Sequence, residues 1–284
     1  MNIVIAGGSG FIGAKVKESL RSNGYRVFSL SRSGGRHEDD LKCDITSNTQ
    51  LEDITVKLSN YKISVLVNFC SRVMSSDTEP DTLFDSNLKI AFALANLAEK
   101  LLPEKLVNAS STAIYPNITG SFSETSIAMP SVNSDSWYGL SKFVTENLID
   151  IKLIPLGVVC VHLRICQVYG KGMGESRIIP VLREELRSNG TMTLWGNGER
   201  VIPFIEVEKL LVIVTKFVEN DCIGGVFNVV GEHLNLVQLA NRIALQQKIE
   251  NHKIILLSKG NKSKFRVETD KLKHFLNASE RNNK

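Results

Sequence analysis

The sequence has 284 residues, of which 43% are hydrophobic and 23% are charged. This composition is typical of a folded chain with a sizeable core, so it excludes collagen-like, disordered and disulfide-scaffold classes. The net charge of +4, from 34 Lys and Arg against 30 Asp and Glu, gives no reason to expect nucleic-acid or membrane-surface binding. No apolar run is long enough to span a bilayer.

Elements of two kinds alternate along the chain. Short β-branched runs predict strands at 2–6, 25–30, 65–69, 105–109, 157–163 and 226–230. Amphipathic patterns predict helices at 11–22, 83–102, 139–153, 175–188, 207–218 and 236–246. This rhythm predicts an α/β fold with a doubly wound parallel sheet, and a polar tail at 277–284 that is expected to fray.

The cysteines lack the close paired spacing of a zinc site or a redox pair, so we expect free thiols and no metal. The N-terminus enters an apolar strand directly, without a basic region or a cleavable apolar segment. Both features predict a cytoplasmic protein. The cysteines are Cys43, Cys70, Cys160, Cys166 and Cys222.

A glycine-rich segment follows the first predicted strand and opens the first predicted helix. Glycine lets the backbone turn sharply and approach a pyrophosphate, whose charge is met by free amides at the helix N-terminus. A tight strand-to-helix turn is the alternative interpretation, but the position in the first strand–turn–helix unit favours a dinucleotide site. The residues expected at the cofactor are Gly7, Gly10, Phe11, Ile12 and Gly13.

The second predicted strand ends in Ser31 and Arg32, and no carboxylate follows until Glu38. An NAD site usually places an acid there for the ribose 2′-hydroxyl, whereas an arginine suits a 2′-phosphate. We therefore expect Ser31 and Arg32 at the cofactor, with NADP(H) preferred over NAD(H). The alternative is that Arg32 is a solvated loop residue.

A domain division follows from these elements. After about residue 165 glycines crowd a loop-rich region before regular elements resume near residue 204. We predict a Rossmann-like dinucleotide-binding domain over 1–165, to which 205–230 returns. Segments 166–204 and 231–284 are predicted to form a smaller, interleaved substrate-binding lobe.

Tyr138 and Lys142 stand four residues apart on a predicted helix and therefore share a face. An ammonium beside a phenol makes the phenol a better proton donor or acceptor near neutral pH. A tyrosine and a lysine at this spacing also occur by chance, so further residues are needed to support a catalytic role. The hydroxyls of Ser110 and Ser111 provide that support. They close a predicted strand at the sheet edge where α/β proteins bind ligands.

Several further motifs appear in the order found in the extended short-chain dehydrogenase/reductases that act on nucleotide sugars. The chain resembles this NAD-dependent epimerase/dehydratase family, specifically its nucleotide-sugar 4-ketoreductases, over nearly its whole length. The likeness rests on the glycine loop, Asn87 and segments 43–45, 68–71, 108–115, 138–142, 163–170, 196–198 and 226–231.

The resemblance implies site residues. It makes Tyr138, Lys142 and Ser111 catalytic. Beyond the glycine loop and the end of the second strand, it places Asp44, Ile45, Cys70, Ser71, Tyr138, Lys142 and Ile165 at the cofactor. It places Ser111, Thr112, Tyr138, Gln167 and Arg200 at the substrate.

Two departures from the family pattern affect the substrate site. Gln167 stands where an asparagine is usual, and Ile202 and Pro203 stand where many relatives carry an Arg-Asp pair that grips the diphosphate. Arg200, two residues before Ile202, is expected to take over that contact. The alternative is that the substrate is held differently.

The resemblance implies a cytoplasmic NADPH-dependent reductase of a nucleotide-activated 4-keto deoxysugar, with a dTDP-4-dehydro-6-deoxyhexose favoured. The product would serve cell-surface polysaccharide synthesis, such as that of O-antigen. The resemblance also implies a homodimer through the helices at 83–102 and 139–153, the alternative being that their apolar faces are covered within the monomer. The alternatives are a 4-epimerase with tightly held NAD and a non-catalytic, dinucleotide-sensing regulator. A dehydratase is disfavoured, because Thr112 and Ala113 replace its two acids.

Overall fold

The computed structural model describes residues 1–73, 78–221 and 224–281, so Cys222 lies outside the described residues. The strands are β1 (Asn2–Ala6), β2 (Arg26–Ser31), β3 (Asp40–Lys42), β4 (Ile63–Asn68), β5 (Lys105–Ser111), β6 (Gly120–Phe122), β7 (Val159–Ile165), β8 (Gln167–Tyr169), β9 (Thr191–Trp195), β10 (Val201–Glu206), β11 (Gly225–Val229), β12 (Glu232–Asn235), β13 (Lys253–Leu257) and β14 (Phe265–Val267). The helices are α1 (Phe11–Ser22), α2 (Asn48–Leu58), α3 (Pro80–Leu101), α4 (Ser136–Leu153), α5 (Ile178–Asn189), α6 (Val207–Glu219), α7 (Leu236–Gln247) and α8 (Asp270–Arg281).

A seven-stranded sheet with the order β11-β7-β5-β4-β1-β2-β3 forms the centre of the molecule, and its strands are parallel. The direction of winding reverses between β1 and β4, which confirms the predicted doubly wound fold. Such sheets bind ligands beyond the carboxyl ends of the strands at this reversal. The ends that matter for the site are Ala6, Ser31, Asn68, Ser111 and Ile165.

Two hydrophobic cores cover the sheet, one on each face. Ile3 and Ile5 of β1 pack with side chains of α1, α6 and α8, whereas Val4 and Ala6 pack with those of α2, α3 and α4. Side chains alternate along a strand, so a strand buried on both faces is apolar at successive positions. This explains the near-continuous apolar runs in the sequence. Among the described residues, no helix is long and apolar enough to cross a membrane.

The C-terminal part of the chain forms smaller sheets around a third core. One sheet has the order β12-β10-β8, and β13 pairs with β9. Apolar side chains of α5, α7 and β9 fill the core between them. Helix α8 packs instead against α6 and β11 of the large sheet, and β14 pairs with β6. The predicted division into a dinucleotide domain and a substrate lobe stays a prediction.

The structure corrects several predicted elements. The bounds of α1 are confirmed, but α2 and β3 were missed, and the second strand begins and ends one residue later than predicted. The expectation of a frayed tail was wrong for residues 277–281, which belong to α8, and residues 282–284 lie outside the described residues. Leu272 is buried in the first core, and Phe275 and Leu276 pack against it; this burial stabilises a helix whose other residues are mostly polar.

Asp40 of β3 joins the edge of the sheet to α1 and carries a pH-dependent prediction. Its Oδ1 accepts hydrogen bonds from Lys17 Nζ (3.2 Å) and Arg21 Nη2 (2.9 Å). Burial alone would raise the pKa of this carboxyl, but the hydrogen bonds from the two cations leave its pKa below the ordinary value. Because the pKa of Asp40 is lower in the folded than in the unfolded protein, its ionised form stabilises the fold at pH values above the ordinary carboxyl pKa. This stabilisation is lost as the pH falls through the folded-state pKa.

We expect Asp40→Asn to lower the free energy of unfolding by roughly 1–2 kcal/mol at neutral pH. The difference from the unsubstituted protein should shrink once the pH falls below about 4. Urea unfolding at a series of pH values measures both quantities. The exposed Asp53 of α2 supplies the control, Asp53→Asn. If the stability difference between Asp40→Asn and the unsubstituted protein stayed constant below about pH 4, the assigned ion pairs would be contradicted.

Candidate active site

The glycine turn between β1 and α1 packs tightly on two neighbouring strand ends. Gly7 has φ +85°, and a Cβ at this position would lie 2.8 Å from the backbone nitrogen of Cys70. A Cβ on Gly13 would overlap the carbonyl oxygen of Gly7. The Gly7 N–H donates to the carbonyl of Leu30 (2.9 Å) at the end of β2. Side chains are therefore excluded from the turn, whose backbone and helix N-terminus fit a dinucleotide pyrophosphate.

The side chains of Phe11 and Ile12 differ in their surroundings. Phe11 begins α1 near Gly172, where an added Cβ would lie 3.7 Å from its ring. Ile12 packs against the first core, so its side chain is engaged there. A contact of Ile12 with the cofactor would therefore use the main chain. Gly10 precedes α1 as its extended N-cap residue, and its N–H donates to Gly7 O (3.1 Å).

Ser31 and Arg32 end β2 next to the glycine turn. The Ser31 hydroxyl donates to Gly34 O (3.2 Å), so this side chain helps to form the following turn. Arg32 is exposed, and no carboxylate of the described residues lies within ion-pair distance of it. Asp44 accepts from Thr46 Oγ1 (2.7 Å); this bond, with a smaller contribution from the charge of Arg32, lowers the Asp44 pKa. Arg32 therefore lies within electrostatic range of Asp44.

The other predicted cofactor residues line the ends of neighbouring strands. Burial raises the pKa of the Cys70 thiol to about 11, against the opposing charge of Lys142. The Ser71 hydroxyl donates to Arg72 O (3.3 Å). Ile45 and Ile165 belong to the two cores of the large sheet, so they contribute packing at the edge of the site.

Asn87 of α3 fixes the loop that follows Cys70. Its Oδ1 accepts from the Arg72 N–H (2.7 Å), and its Nδ2 donates to Arg72 O (3.0 Å) and to Ser141 Oγ (3.0 Å). One buried amide therefore ties α3, the loop and α4 together. This agrees with the structural role that the resemblance implies for Asn87.

The predicted catalytic residues lie at the end of β5 and on the first turns of α4, which pack against each other. A Cβ on Gly139 would overlap Ala113 O, so the first turn of α4 rests directly on the short turn that follows Ser111. Lys142 Nζ donates to Ala109 O (2.8 Å) and lies 5.5 Å from the centre of the Tyr138 ring. Ser111 Oγ accepts from the Ala113 N–H (3.1 Å). The hydroxyl, phenol and ammonium groups are thereby placed at the carboxyl edge of the sheet.

A polar stripe at four-residue spacing attaches α4 to the sheet. Below Lys142, the carboxylate of Glu146 accepts from Arg164 Nε (3.1 Å) and Nη2 (2.8 Å) of β7. One turn further, Asp150 contacts His162 Nε2 (2.9 Å). Glu146 and Arg164 are not among the residues predicted for the site. Extending the Tyr138–Lys142 spacing by one more turn would have found Glu146, because residues four apart share a helix face.

The predicted substrate residues lie in different surroundings. Thr112 is buried beside Ser111, and Gln167 begins β8 with an exposed side chain. Arg200 is half-buried, and its Nε has no hydrogen-bond partner among the described residues. Burial lowers the pKa of this guanidinium, and the charge of Asp135 opposes the shift. Asp135 directly precedes α4, so Arg200 lies within electrostatic range of the start of that helix.

A doubly wound parallel sheet with a glycine turn at its first strand is the arrangement of dinucleotide-binding proteins, and the serine and the tyrosine–lysine pair lie at the carboxyl edge of this sheet. The model of the NAD dependent epimerase/dehydratase family matches residues 3–261. The chain belongs to this family, whose members are NAD(P)-dependent enzymes acting on nucleotide sugars.

Individual relatives are distant. GDP-mannose 3,5-epimerase 1 of Oryza sativa subsp. indica is 23% identical over 241 residues, which cover 78% of this chain and 62% of that protein. The dTDP-4-dehydro-6-deoxyglucose reductase of Escherichia coli is 21% identical over 260 residues, covering 85% of this chain and 80% of that one. The structure of UDP-glucuronic acid 4-epimerase from Bacillus cereus, in complex with UDP-glucuronic acid and NAD, superposes with a TM-score of 0.81 at 20% identity. It covers 98% of this chain and 93% of the other, and it shows the shared fold.

Proposed function

We propose that this protein uses NADPH to reduce the 4-keto group of a nucleotide-activated deoxysugar, with a dTDP-4-dehydro-6-deoxyhexose as the favoured substrate. The observation that carries the proposal is Arg32, an exposed arginine directly after β2 that forms no ion pair with a carboxylate of the described residues. A 2′-phosphate would meet this charge, whereas the acid that usually serves an NAD ribose is absent. NADPH suits a net reduction, because the oxidised cofactor must leave after each turnover.

The chain's own groups supply the acid and the polarising contacts. Tyr138 would donate its phenolic proton to the carbonyl oxygen of the sugar as negative charge develops there. Ser111 would donate a hydrogen bond to the same oxygen. Lys142 would hold the nicotinamide ribose. When bound, the reduced nicotinamide supplies the hydride.

The surroundings of Arg200 support the proposal that the substrate carries a negative charge. A half-buried guanidinium whose Nε lacks a partner is costly unless a ligand completes its hydrogen bonds. Arginine binds phosphate oxygens with good geometry, and Arg200 lies near Asp135 at the start of α4. We infer that Arg200 contacts the diphosphate of the nucleotide sugar in place of the residue that many relatives carry at position 202.

The direct test is oxidation of NADPH in the presence of a panel of dTDP-, GDP- and UDP-linked 4-keto sugars. We expect turnover with at least one of them, and with a dTDP-linked sugar best. Absence of turnover with every sugar of the panel, by protein that binds NADPH, would overturn the reductase proposal.

Cofactor preference gives a second test. Arg32→Ala is expected to raise the KM for NADPH by about 10- to 100-fold and to leave that for NADH nearly unchanged, since a hydrogen bond to a charged group contributes about 1.5–3 kcal/mol. Initial rates with both cofactors measure this split. Arg36→Ala removes an exposed arginine of the same loop and is the matched control. A lower KM for NADH than for NADPH that is unchanged in Arg32→Ala would contradict the proposal.

A 4-epimerase with tightly held NAD is the second candidate, because relatives of both kinds resemble this chain. An epimerase returns the hydride within one turnover and needs no added cofactor. Purified protein should therefore be incubated with a UDP-hexose alone and the sugar analysed by NMR. Epimerisation under these conditions would replace the reductase proposal.

We also propose that the protein forms a homodimer through α3 and α4. These helices pack on one another, yet each exposes an apolar side chain, Phe92 on α3 and Ile151 on α4. A second copy would bury both. Light scattering should give the mass of a dimer, and Phe92→Glu should give the mass of a monomer. A monomeric unsubstituted protein would contradict this proposal.

A further inference from the structure

Three buried polar side chains cross the centre of the large sheet side by side. Asn68 of β4 is in register with Asn108 of β5, which is in register with His162 of β7. Each is at most 1% exposed, and the positions two residues earlier on the three strands carry Leu66, Leu106 and Cys160. Buried polar groups are costly unless they are hydrogen-bonded, so this row requires an explanation.

The hydrogen bonds of the row run in one direction. The Cys70 N–H can only donate, and it donates to Asn68 Oδ1 (2.9 Å), which fixes the orientation of that amide. Asn68 Nδ2 then donates to Asn108 Oδ1 (2.9 Å), and Asn108 Nδ2 is left to donate to His162 Nδ1 (3.1 Å). His162 Nδ1 is therefore an acceptor without a proton.

The row is anchored at its outer end. Since His162 Nδ1 accepts, the proton of the neutral ring is on Nε2, which faces Asp150 Oδ1 (2.9 Å) on α4. The side chain of Asp150 is 38% exposed, whereas that of His162 is fully buried. The carboxylate holds the ring in the tautomer that the two asparagines require. We call the row formed by Asn68, Asn108 and His162 the amide ladder.

The inner end of the amide ladder lies at the glycine turn. The amide of Cys70 is so close to Gly7 that a Cβ there would lie 2.8 Å from the Cys70 nitrogen. The peptide between Phe69 and Cys70 is therefore in direct packing contact with the glycine turn. A shift of this peptide would move the turn that is expected to receive the cofactor pyrophosphate.

We propose that Asn68, Asn108 and His162 are positioning residues, which hold the Cys70 amide against the glycine turn and thereby set the affinity for the dinucleotide. The proposal rests on the cofactor site described under the proposed function. It assigns no proton transfer to the amide ladder. Apolar side chains would pack between the sheet and α4 equally well, but they would leave the Cys70 N–H without its acceptor.

The direction of the amide ladder is tested on the free protein by the 15N NMR spectrum of His162, assigned by its loss in His162→Gln. We expect an unprotonated Nδ1 and a protonated Nε2. Asn68→Asp should place a proton on Nδ1: the new carboxylate, once ionised, accepts from Cys70 and cannot donate, so the Asn108 amide must turn and present its oxygen to His162. The effect would cross two strand spacings, about 9–10 Å.

Asn96→Asp on the exposed side of α3 adds the same charge outside the amide ladder and should leave the His162 spectrum unchanged. A protonated Nδ1 in the unsubstituted protein would overturn the assigned direction. An unchanged His162 spectrum in Asn68→Asp would show that the three rungs are not coupled, and would also overturn it.

The positioning role is tested by calorimetric titration with NADPH and with NAD. Asn108→Leu removes the middle rung and should weaken dinucleotide binding by about five- to tenfold, the loss expected for one hydrogen bond. Asn96→Leu removes an exposed amide of α3 outside the amide ladder and should bind as the unsubstituted protein does. If Asn108→Leu does not fold, Asn108→Ser, which is too short to reach both neighbours, replaces it.

The outcomes separate this proposal from the proposed function. Unchanged affinity in the Asn108 variant would overturn the positioning role while leaving the reductase proposal intact. If the unsubstituted protein bound neither dinucleotide, the proposed function and the positioning role would both fail, and the His162 spectrum would still decide the direction of the amide ladder.

Discussion

Tyr138→Phe is expected to lower kcat for reduction of the nucleotide sugar by about 10²- to 10⁴-fold, the range observed when a general acid is removed. The substitution deletes only the phenolic oxygen. The ring stays beside Lys142, whose Nζ is anchored on Ala109 O (2.8 Å), so the cofactor side of the site keeps its shape. We therefore expect the KM for NADPH to change little.

The rate of NADPH oxidation measures both constants. Tyr25→Phe is the matched control, because the Tyr25 hydroxyl donates to Glu219 (3.1 Å) at the other end of α1. Undiminished kcat in Tyr138→Phe would remove Tyr138 from the mechanism. If a strain carrying Tyr138→Phe also kept its cellular function, the non-catalytic regulator would become the better hypothesis.

Glu146→Leu is expected to lower the free energy of unfolding by about 3–5 kcal/mol, because it leaves the charge of Arg164 buried without its carboxylate. The two side chains are 7% and 5% exposed and share two hydrogen bonds. Arg164 also donates to the Tyr115 hydroxyl (2.8 Å), which donates to Asn228 Oδ1 (2.8 Å) on β11. Loss of the carboxylate therefore disturbs a network that spans β7, α4 and β11.

The double variant Glu146→Leu with Arg164→Met should recover most of the lost stability, because apolar side chains of similar volume often replace a buried pair at little cost. Urea unfolding of the single and double variants measures the recovery. Asp85→Leu breaks the exposed pair between Asp85 and Lys89 and should have little effect, since solvent screens it. A single variant no less stable than this control would contradict the structural role of the pair.

Helices and strands were predictable from the sequence where the local hydrophobic pattern matches the burial of the side chains in the structure. The first strand and α1 were placed correctly, because an apolar run followed by glycines and an amphipathic stretch has one interpretation. Helix α2 was missed, since its buried Leu51, Thr55 and Leu58 stand among polar and β-branched residues. Helix α8 was missed because its apolar residues are few and gain their stability only from the core they join.

For the site, local spacing was enough to pair Tyr138 with Lys142 and to predict the glycine turn. Local spacing could not predict which groups from other parts of the chain would lie next to Tyr138, Lys142 and the glycine turn. Whether Ser111 lies at the first turn of α4 depends on how β5 packs beside that helix, and the proximity of Arg200 to Asp135 depends on the fold of the smaller sheets.

By itself, the sequence determined that this protein has a doubly wound sheet, a glycine turn suited to a dinucleotide and a tyrosine–lysine face on one helix. These features follow from periods of two and 3.6 residues and from the conformational freedom of glycine, which act over short stretches. Only the tertiary structure decided the partners of the polar side chains beneath the site. Asn68 meets Asn108 across 40 residues, and Asn108 meets His162 across 54. Hydrogen bonds between strands so far apart in the chain form only after the sheet has brought the strands into register.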